Sequence, residues 1–280
     1  MPVKLEHVLK RVETLPILPT SAMRVMSLTK NPDIDVNALA DLIGQDPALA
    51  ASILRQANSA FYGYARRIAS LAEAVVLLGF QTIYSLTLSA AVAPMLKTEL
   101  TGYCLDQEGL WKHSLLVGLI SRKLCRRLHL PIGETAFTAG LLHDIGKLIL
   151  SIYVQEVGGY LLKKIEQQKL SYVEMEQKVI GFDHATVGGF IIKHWNLPEP
   201  LVDAITHHHH PEKSVAEPVL AAVIHVANVL ANTLGVGGGI DSFLNPLRPE
   251  SLALLKLKEE DIDLLLADLG DLMSDPNIFG

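Results

Sequence analysis

His143 and Asp144 stand side by side in Gly140-Leu141-Leu142-His143-Asp144-Ile145-Gly146-Lys147, at the end of an apolar run. An imidazole and a carboxylate on consecutive residues can ligate one metal ion, and the carboxylate can bridge to a second. Lys147 follows one helical turn later, where an ammonium could neutralise a phosphate. Further imidazoles fall at useful places. His113 lies in Leu110-Trp111-Lys112-His113-Ser114, inside a helical pattern. His184 follows Asp183 near a helix start, and His207 and His208 end a helix that begins after Pro198. Hydrolysis of a phosphate ester needs a cation that polarises the phosphoryl oxygen and lowers the pKa of a bound water. Imidazole and carboxylate ligands suit iron, manganese or zinc better than magnesium. One or two such ions are the expected cofactor.

Each of these residues also has a plain structural role. A lone His113 on an amphipathic helix is ordinarily a core histidine, and His184 could simply cap a helix. The run His207 to His210 reads as a solvated helix end, where imidazolium favours the dipole. His129, His194, His209 and His210 are assigned only that role, and Lys147 alone would be a helix-end cation. Convergence of histidines from separate segments on a His-Asp doublet is what favours a site. Asn228, in Ile224-His225-Val226-Ala227-Asn228, stands where a final carboxylate ligand would be expected. A neutral amide oxygen holds a divalent ion more weakly. That weakens an ion held by His113, His143 and Asp144. It spares one held by Asp144, His184, His207 and His208.

The elements that must position these groups are helical. Val3, Leu5, Val8, Leu9 and Val12 make one apolar stripe, which Leu15-Pro16-Ile17-Leu18-Pro19 breaks. Thr20 is placed as the cap of a second helix reaching Leu28. Asn31-Pro32-Asp33 reads as a turn. Asp35 is placed as the cap of a third helix, and Asp46-Pro47 as a capping carboxylate followed by proline at the first helical position. The apolar stretch from Ala74 to Leu96 is interrupted by Gly79, Gln81, Thr82, Ser85, Thr87 and Ser89, so it reads as a buried helix pair and not a membrane span. Further helices are expected near 109–129, 134–150, 155–167, 171–180, 184–194, 198–207, 215–234, 249–255 and 259–273. Gly235 to Gly239 reads as a flexible loop. No run alternates with the period of a strand. The plan is all-α: a helical bundle over 1–105, the histidine-bearing bundle over 106–240, and a helical extension over 241–280.

The chain has 280 residues, 49% of them hydrophobic, which is ample for a large core. A net charge of −6 argues against gripping nucleic acid or an anionic membrane. The basic residues Arg122, Lys123, Arg126 and Arg127 read as a solvated helix face. Two cysteines, Cys104 and Cys125, and no CxxC suggest a reducing, cytoplasmic setting. Residues 1–14 lack the pattern of a secretory signal.

Four motifs then fall in order: Leu15-Pro16-Ile17-Leu18-Pro19, Asp46-Pro47-Ala48-Leu49, Ala57-Asn58-Ser59-Ala60-Phe61-Tyr62-Gly63, and Ala74 through Leu78-Gly79. With the His-Asp doublet they resemble the HDOD family, the HD-related output domains of bacterial signalling, from about Leu15 to Asn232. The resemblance implies an HD-like helical bundle with an additional N-terminal helical bundle. It also implies a cytoplasmic regulatory role, often without catalysis. HD and HD-GYP phosphohydrolases hold metals through His, His-Asp, further His residues and a final Asp. Carried over, His113 matches the first His, His143 and Asp144 the doublet, and His184 the next His. His207 and His208 resemble the HD-GYP His pair, and Asn228 takes the place of the last Asp. Pro211-Glu212 follows His210 where the HD-GYP pattern has Gly-Tyr-Pro.

Asn58, Ser59 and Tyr62-Gly63 read first as a helix termination, and second as a partner or ligand surface. The favoured function is regulatory, a metal-binding module acting through signalling proteins or a small ligand. The alternative is a metal-dependent phosphohydrolase acting on a nucleotide or cyclic dinucleotide, with Asp144 bridging metals and Lys147 stabilising phosphate charge. The matched region fills most of the chain, so an input is expected from a separate protein or small molecule.

Overall fold

A computed structural model of the chain describes all residues except 1–2, 32, 65, 169–170, 238, 241–244, 274–277 and 280; of residues 60, 158–168 and 271–272 it describes the backbone only. Pro32 of the expected turn and Gly238 of the expected loop therefore lie outside the described residues. The fold is all-α, and the described residues form no strand, only an isolated antiparallel bridge between Leu100 and Leu105. The chain divides into two compact units: residues 1–16 with 96–266, and residues 17–95 with 267–280. This groups the first helix with the histidine-bearing helices.

The smaller unit contains helices α2 (Thr20–Leu28), α3 (Val36–Gly44) and α4 (Pro47–Ala57) and most of α5 (Leu71–Leu96); α1 (Leu5–Thr14) precedes them in sequence. Asp35 caps α3 by accepting from the Ala38 amide. Asp46 caps α4 by accepting from the Ala48 and Leu49 amides, with Pro47 at the first helical position. Thr20 does not cap α2: it is already helical, Pro19 holds the cap position, and no side chain bonds there. Gly79 breaks α5 with φ 78° and ψ 165°, so the apolar stretch is two helical segments, as its glycine suggested. Val25, Leu39, Ile43, Ile53, Ile68, Ile83 and Leu86 form the core of this unit.

The larger unit carries α6 (Gly109–Arg127), α7 (Gly133–Leu142), α8 (Lys147–Gln168), α9 (Tyr172–Val179), α10 (His184–His194), α11 (Glu199–Thr206), α12 (Pro218–Thr233) and α13 (Pro249–Leu255), with α14 (Glu259–Met273) running out of it. The expected helix over 134–150 is broken. α7 stops at Leu142, His143 to Gly146 form a turn, and α8 starts at Lys147 and absorbs the helix expected over 155–167. The turn lies close against α10. A Cβ on Gly146 would lie 1.9 Å from the His184 carbonyl oxygen and 2.6 Å from the Gly188 amide nitrogen. The turn is thus pressed against the start of α10, which brings His143 and Asp144 to His184. Of the basic residues on α6, Arg126 and Arg127 are exposed, whereas Arg122 is buried over the Phe137 ring and pairs with Glu134 at 2.6 Å.

α6 and α7 cross at a pair of glycines. A Cβ on Gly140 would stand 2.9 Å from the Gly118 Cα, and one on Gly118 would stand 2.9 Å from the Phe137 carbonyl oxygen. This backbone contact sets the distance between His113 and His143. Gly140→Ala should therefore destabilise the protein by about 1–3 kcal/mol in thermal or denaturant unfolding, because backbone must move. Gly44→Ala, which meets only the Leu71 Cδ1 at 3.8 Å, should cost much less.

Candidate metal centre

The Asp144 carboxylate lies at the middle of five histidines. Its Oδ1 is 3.2 Å from His184 Nε2 and 3.9 Å from His208 Nε2. Its Oδ2 is 3.3 Å from His143 Nε2, 3.6 Å from His113 Nε2 and 2.6 Å from Lys147 Nζ. Two groups of potential ligands share this one carboxylate. Asp144, His184, His208 and His209 form one, and His113, His143 and Asp144 the other; within each, the ligand atoms lie within 4.8 Å of one another. All these residues are at most 5% exposed.

The ring orientations suit metal ligation. His143 Nδ1 donates to the Gly140 carbonyl at 2.7 Å, and His208 Nδ1 to the Ile205 carbonyl at 2.7 Å. His184 Nδ1 donates to Glu176 Oε2 at 2.7 Å, and His113 Nδ1 faces the Val236 carbonyl at 3.3 Å. For His143 and His208 these bonds place the proton on Nδ1 and turn the Nε2 lone pair toward Asp144, whereas His113 Nε2 and His184 Nε2 face the acceptors Asn228 Oδ1 and Asp144 Oδ1 and carry a proton that a metal would displace. His143 Nε2, His208 Nε2 and Asp144 Oδ1 are buried and make no hydrogen bond among the described residues. His209 Nε2 and His184 Nε2 lie 2.9 Å apart, so a proton or a cation must stand between them. Buried, converging and unsatisfied lone pairs are what a transition metal requires, and they fit iron, manganese or zinc.

The electrostatics separate His184 from His208 and His209. Burial opposes the charge on Asp144, but His143, Lys147 and His184 hold its carboxyl well below the usual range. Burial also opposes a charged His184, yet Glu176 and Asp144 raise it to about 10. Burial, reinforced by the neighbouring imidazoles, pushes His208 and His209 well below 6.5, so both are neutral donors near pH 7.

Of the six ligands expected from sequence, His113, His143, Asp144, His184 and His208 are brought together. His207 is not. It turns back along α11, with Nδ1 2.9 Å from the Asp203 carbonyl oxygen, and stays partly exposed. α11 ends at Thr206, and the turn after it sends His208 and His209 inward. His209, read from sequence as a solvated helix end, takes the place given to His207. Lys147 is not an exposed cation: it is 3% exposed, bonded to Asp144, and its ammonium lies 5.3 Å from the Tyr103 ring centroid. Asn228 stands where expected, with Oδ1 3.0 Å from His113 Nε2.

Sequence reading missed two supporting residues. Glu176 on α9 is fully buried; it accepts from the His184 amide and ring and from the Tyr103 hydroxyl. Its signal was a carboxylate on the same stripe as Tyr172 and Val173, since a buried charge needs partners. His225 braces the inward turn: Nδ1 donates to the His208 carbonyl and Nε2 accepts from the Arg248 amide. Burial lowers it to about 4, consistent with a neutral scaffold.

Residues 15–211 match the HDOD domain family, and the chain belongs to it. An HDOD domain protein of unknown function from Geobacter sulfurreducens superimposes with a TM-score of 0.75 at 26% identity, covering 99% of this chain and 97% of that one. A protein from Shewanella amazonensis SB2B, described as a candidate phosphohydrolase, gives a TM-score of 0.73 at 27% identity, covering 97% and 96%. An uncharacterized protein of Treponema pallidum (strain Nichols) is 26% identical over 204 residues, 71% of this chain. This chain spans only 38% of that relative's length.

Two tests follow from the arrangement. His209→Ala and His208→Ala should lose bound metal in elemental analysis, while His207→Ala should keep it. Asp203, on α11, accepts from the Ser214 hydroxyl and from the Ala216 and Glu217 amides. Burial would raise its pKa, but these bonds and His207 hold it below the usual 3.8. Its contribution is therefore fully present above the unfolded-state value and is lost as pH falls through the folded one. Asp203→Asn should flatten the acid limb of the stability profile below about pH 4, measured by denaturant unfolding.

Proposed function

We propose that this chain is a bacterial, cytoplasmic HDOD regulatory protein that holds one transition-metal ion between Asp144, His184, His208 and His209. It relays an input through contacts with signalling proteins or a small regulatory ligand, not by turnover. The observation that carries this reading is the enclosure of the ligand set. A catalytic metal keeps a position open to water and substrate. Among the described residues the ligands are almost wholly buried, and a recess lined by His209, His225 and Arg248 measures about 10 Å³. That is room for about one water, whereas ligand pockets typically run to several hundred Å³.

Charge supports the choice of one ion over two. Asn228 supplies no carboxylate beside His113, and Lys147 already sets a cation on Asp144 Oδ2. The ammonium thus occupies the electrostatic role of a second metal. The other half keeps three imidazoles and Asp144 Oδ1. A metal bound there would tie α10, the turn after α11 and the His143–Gly146 turn into one body, so that metal binding is linked to the packing of these elements.

A second reading, a metal-dependent phosphohydrolase, is favoured by the two ligand groups sharing Asp144 and by the likeness to the Shewanella protein. It requires Lys147 to leave Asp144 and meet a phosphate, and it requires access to the buried ligands. Metal-loaded protein assayed with bis(p-nitrophenyl) phosphate and with a cyclic dinucleotide separates the two. The regulatory reading predicts no turnover. Turnover that disappears in Asp144→Ala would establish the enzyme. Asn228→Asp should raise the metal content from one ion per chain toward two, because the added carboxylate faces His113; an unchanged content would remove Asn228 as the reason for single occupancy.

A further inference from the structure

The smaller unit holds a recess unlike the rest of this acidic chain. It is an open recess of about 910 Å³, lined by the exposed Arg55, Arg66 and Arg67 together with Ser59 and the exposed Tyr64. Its described lining carries no carboxylate. Arg66 pairs with Glu73 at 2.7 Å, which engages only part of a guanidinium that offers five donors. Arg55 and Arg67 make no ion pair among the described residues. Arg55 lies in the last turn of α4, where a cation offsets the helix dipole. That accounts for one arginine, not for three around one recess in a protein of net charge −6.

The wall is built, not incidental. Asn58 donates to the carbonyls of Leu54 and Ile68 and accepts from the Ile68 amide, at 2.7, 3.0 and 2.8 Å. Ile68 is itself buried, so the chain next to Arg67 is pinned to the end of α4. Tyr64 is fixed by its hydroxyl donating to the Leu77 carbonyl at 2.8 Å. Asn58 is thus a clamp that positions Arg66 and Arg67 rather than a ligand-binding group. This joins the two sequence readings of the Asn58-Ser59 motif: it terminates a helix, and by doing so it shapes a ligand surface.

We propose that this recess binds a phosphate-bearing small molecule of nucleotide size. Guanidinium groups are the preferred partners of phosphate because their planar fork matches two oxygens. The volume lies within the range of small-molecule pockets, and the Tyr64 ring offers an aromatic face beside the cations. The regulatory ligand of the module then enters the smaller unit.

Calorimetric titration of the full chain with AMP, and with inorganic phosphate as competitor, tests this. Arg67→Ala and the double variant Arg55→Ala/Arg67→Ala are compared with wild type, with circular dichroism to confirm folding. AMP should bind saturably, more tightly than inorganic phosphate. Affinity should fall about tenfold or more in the double variant, with metal content unchanged. Hydrogen exchange should slow over residues 55–68 on AMP addition. Absence of saturable binding at millimolar AMP, or equal binding by folded variants, would overturn the proposal. Binding lost in His143→Ala but kept in the arginine variants would place the ligand at the histidine cluster and overturn it too. A single-stranded oligonucleotide binding far more tightly than AMP would overturn the small-ligand class. None of these outcomes bears on metal stoichiometry, so the metal reading stands or falls separately.

Discussion

The carboxylate of Asp144 is the constraint on which the larger unit depends. It is 1% exposed, and a carboxylate in that setting is sustained only by nearby positive charge and hydrogen-bond donors. Lys147 takes one oxygen, and the imidazoles of His143, His113, His184 and His208 surround both. Each surrounding group must itself be held. Glu176 and Tyr103 fix His184, the Gly140 carbonyl fixes His143, and His225 braces the backbone of His208. Helices α6 to α12 can be understood as the means of bringing these groups to one buried carboxylate.

The two oxygens of Asp144 do different things. Oδ2 faces Lys147 and the half where Asn228 replaces a charged ligand, and an ammonium is sufficient there. Oδ1 faces His184, whose Nε2 proton a metal could replace, and His208, whose Nε2 lone pair is unsatisfied. On the proposed reading, the asymmetry suits a scaffold with two ligand groups to a single ion. Glycines make this possible: Gly140 lets α7 approach α6, and Gly146 lets the His143–Gly146 turn press against α10.

Much of this was legible in the sequence, because the fold is helical and its signals are local. Asp35 and Asp46-Pro47 announced their helix starts, Gly79 announced the break in α5, and the doublet with His113, His184 and His208 announced the cluster. What escaped has a common physical origin: it depends on the direction of a side chain after a helix has ended. His207 and His209 differ by two positions, and only the turn after α11 decides which points inward. The break between α7 and α8 was hidden in the same way, because apolar periodicity runs on through a turn that packs against α10. Glu176 and Lys147 each lie on or beside an apolar stripe, and their roles rest on partners far away in sequence. Thr20 was misplaced by one residue because proline, not a hydroxyl, precedes the helix.

The most direct test of one ion held by one half of the site is X-ray absorption at the metal edge on protein loaded to saturation. One metal environment should be seen, with three imidazole nitrogens and a carboxylate oxygen, and with no metal–metal scattering at about 3.5–4 Å. A metal–metal vector at that distance, or a shell dominated by water oxygens, would contradict the account.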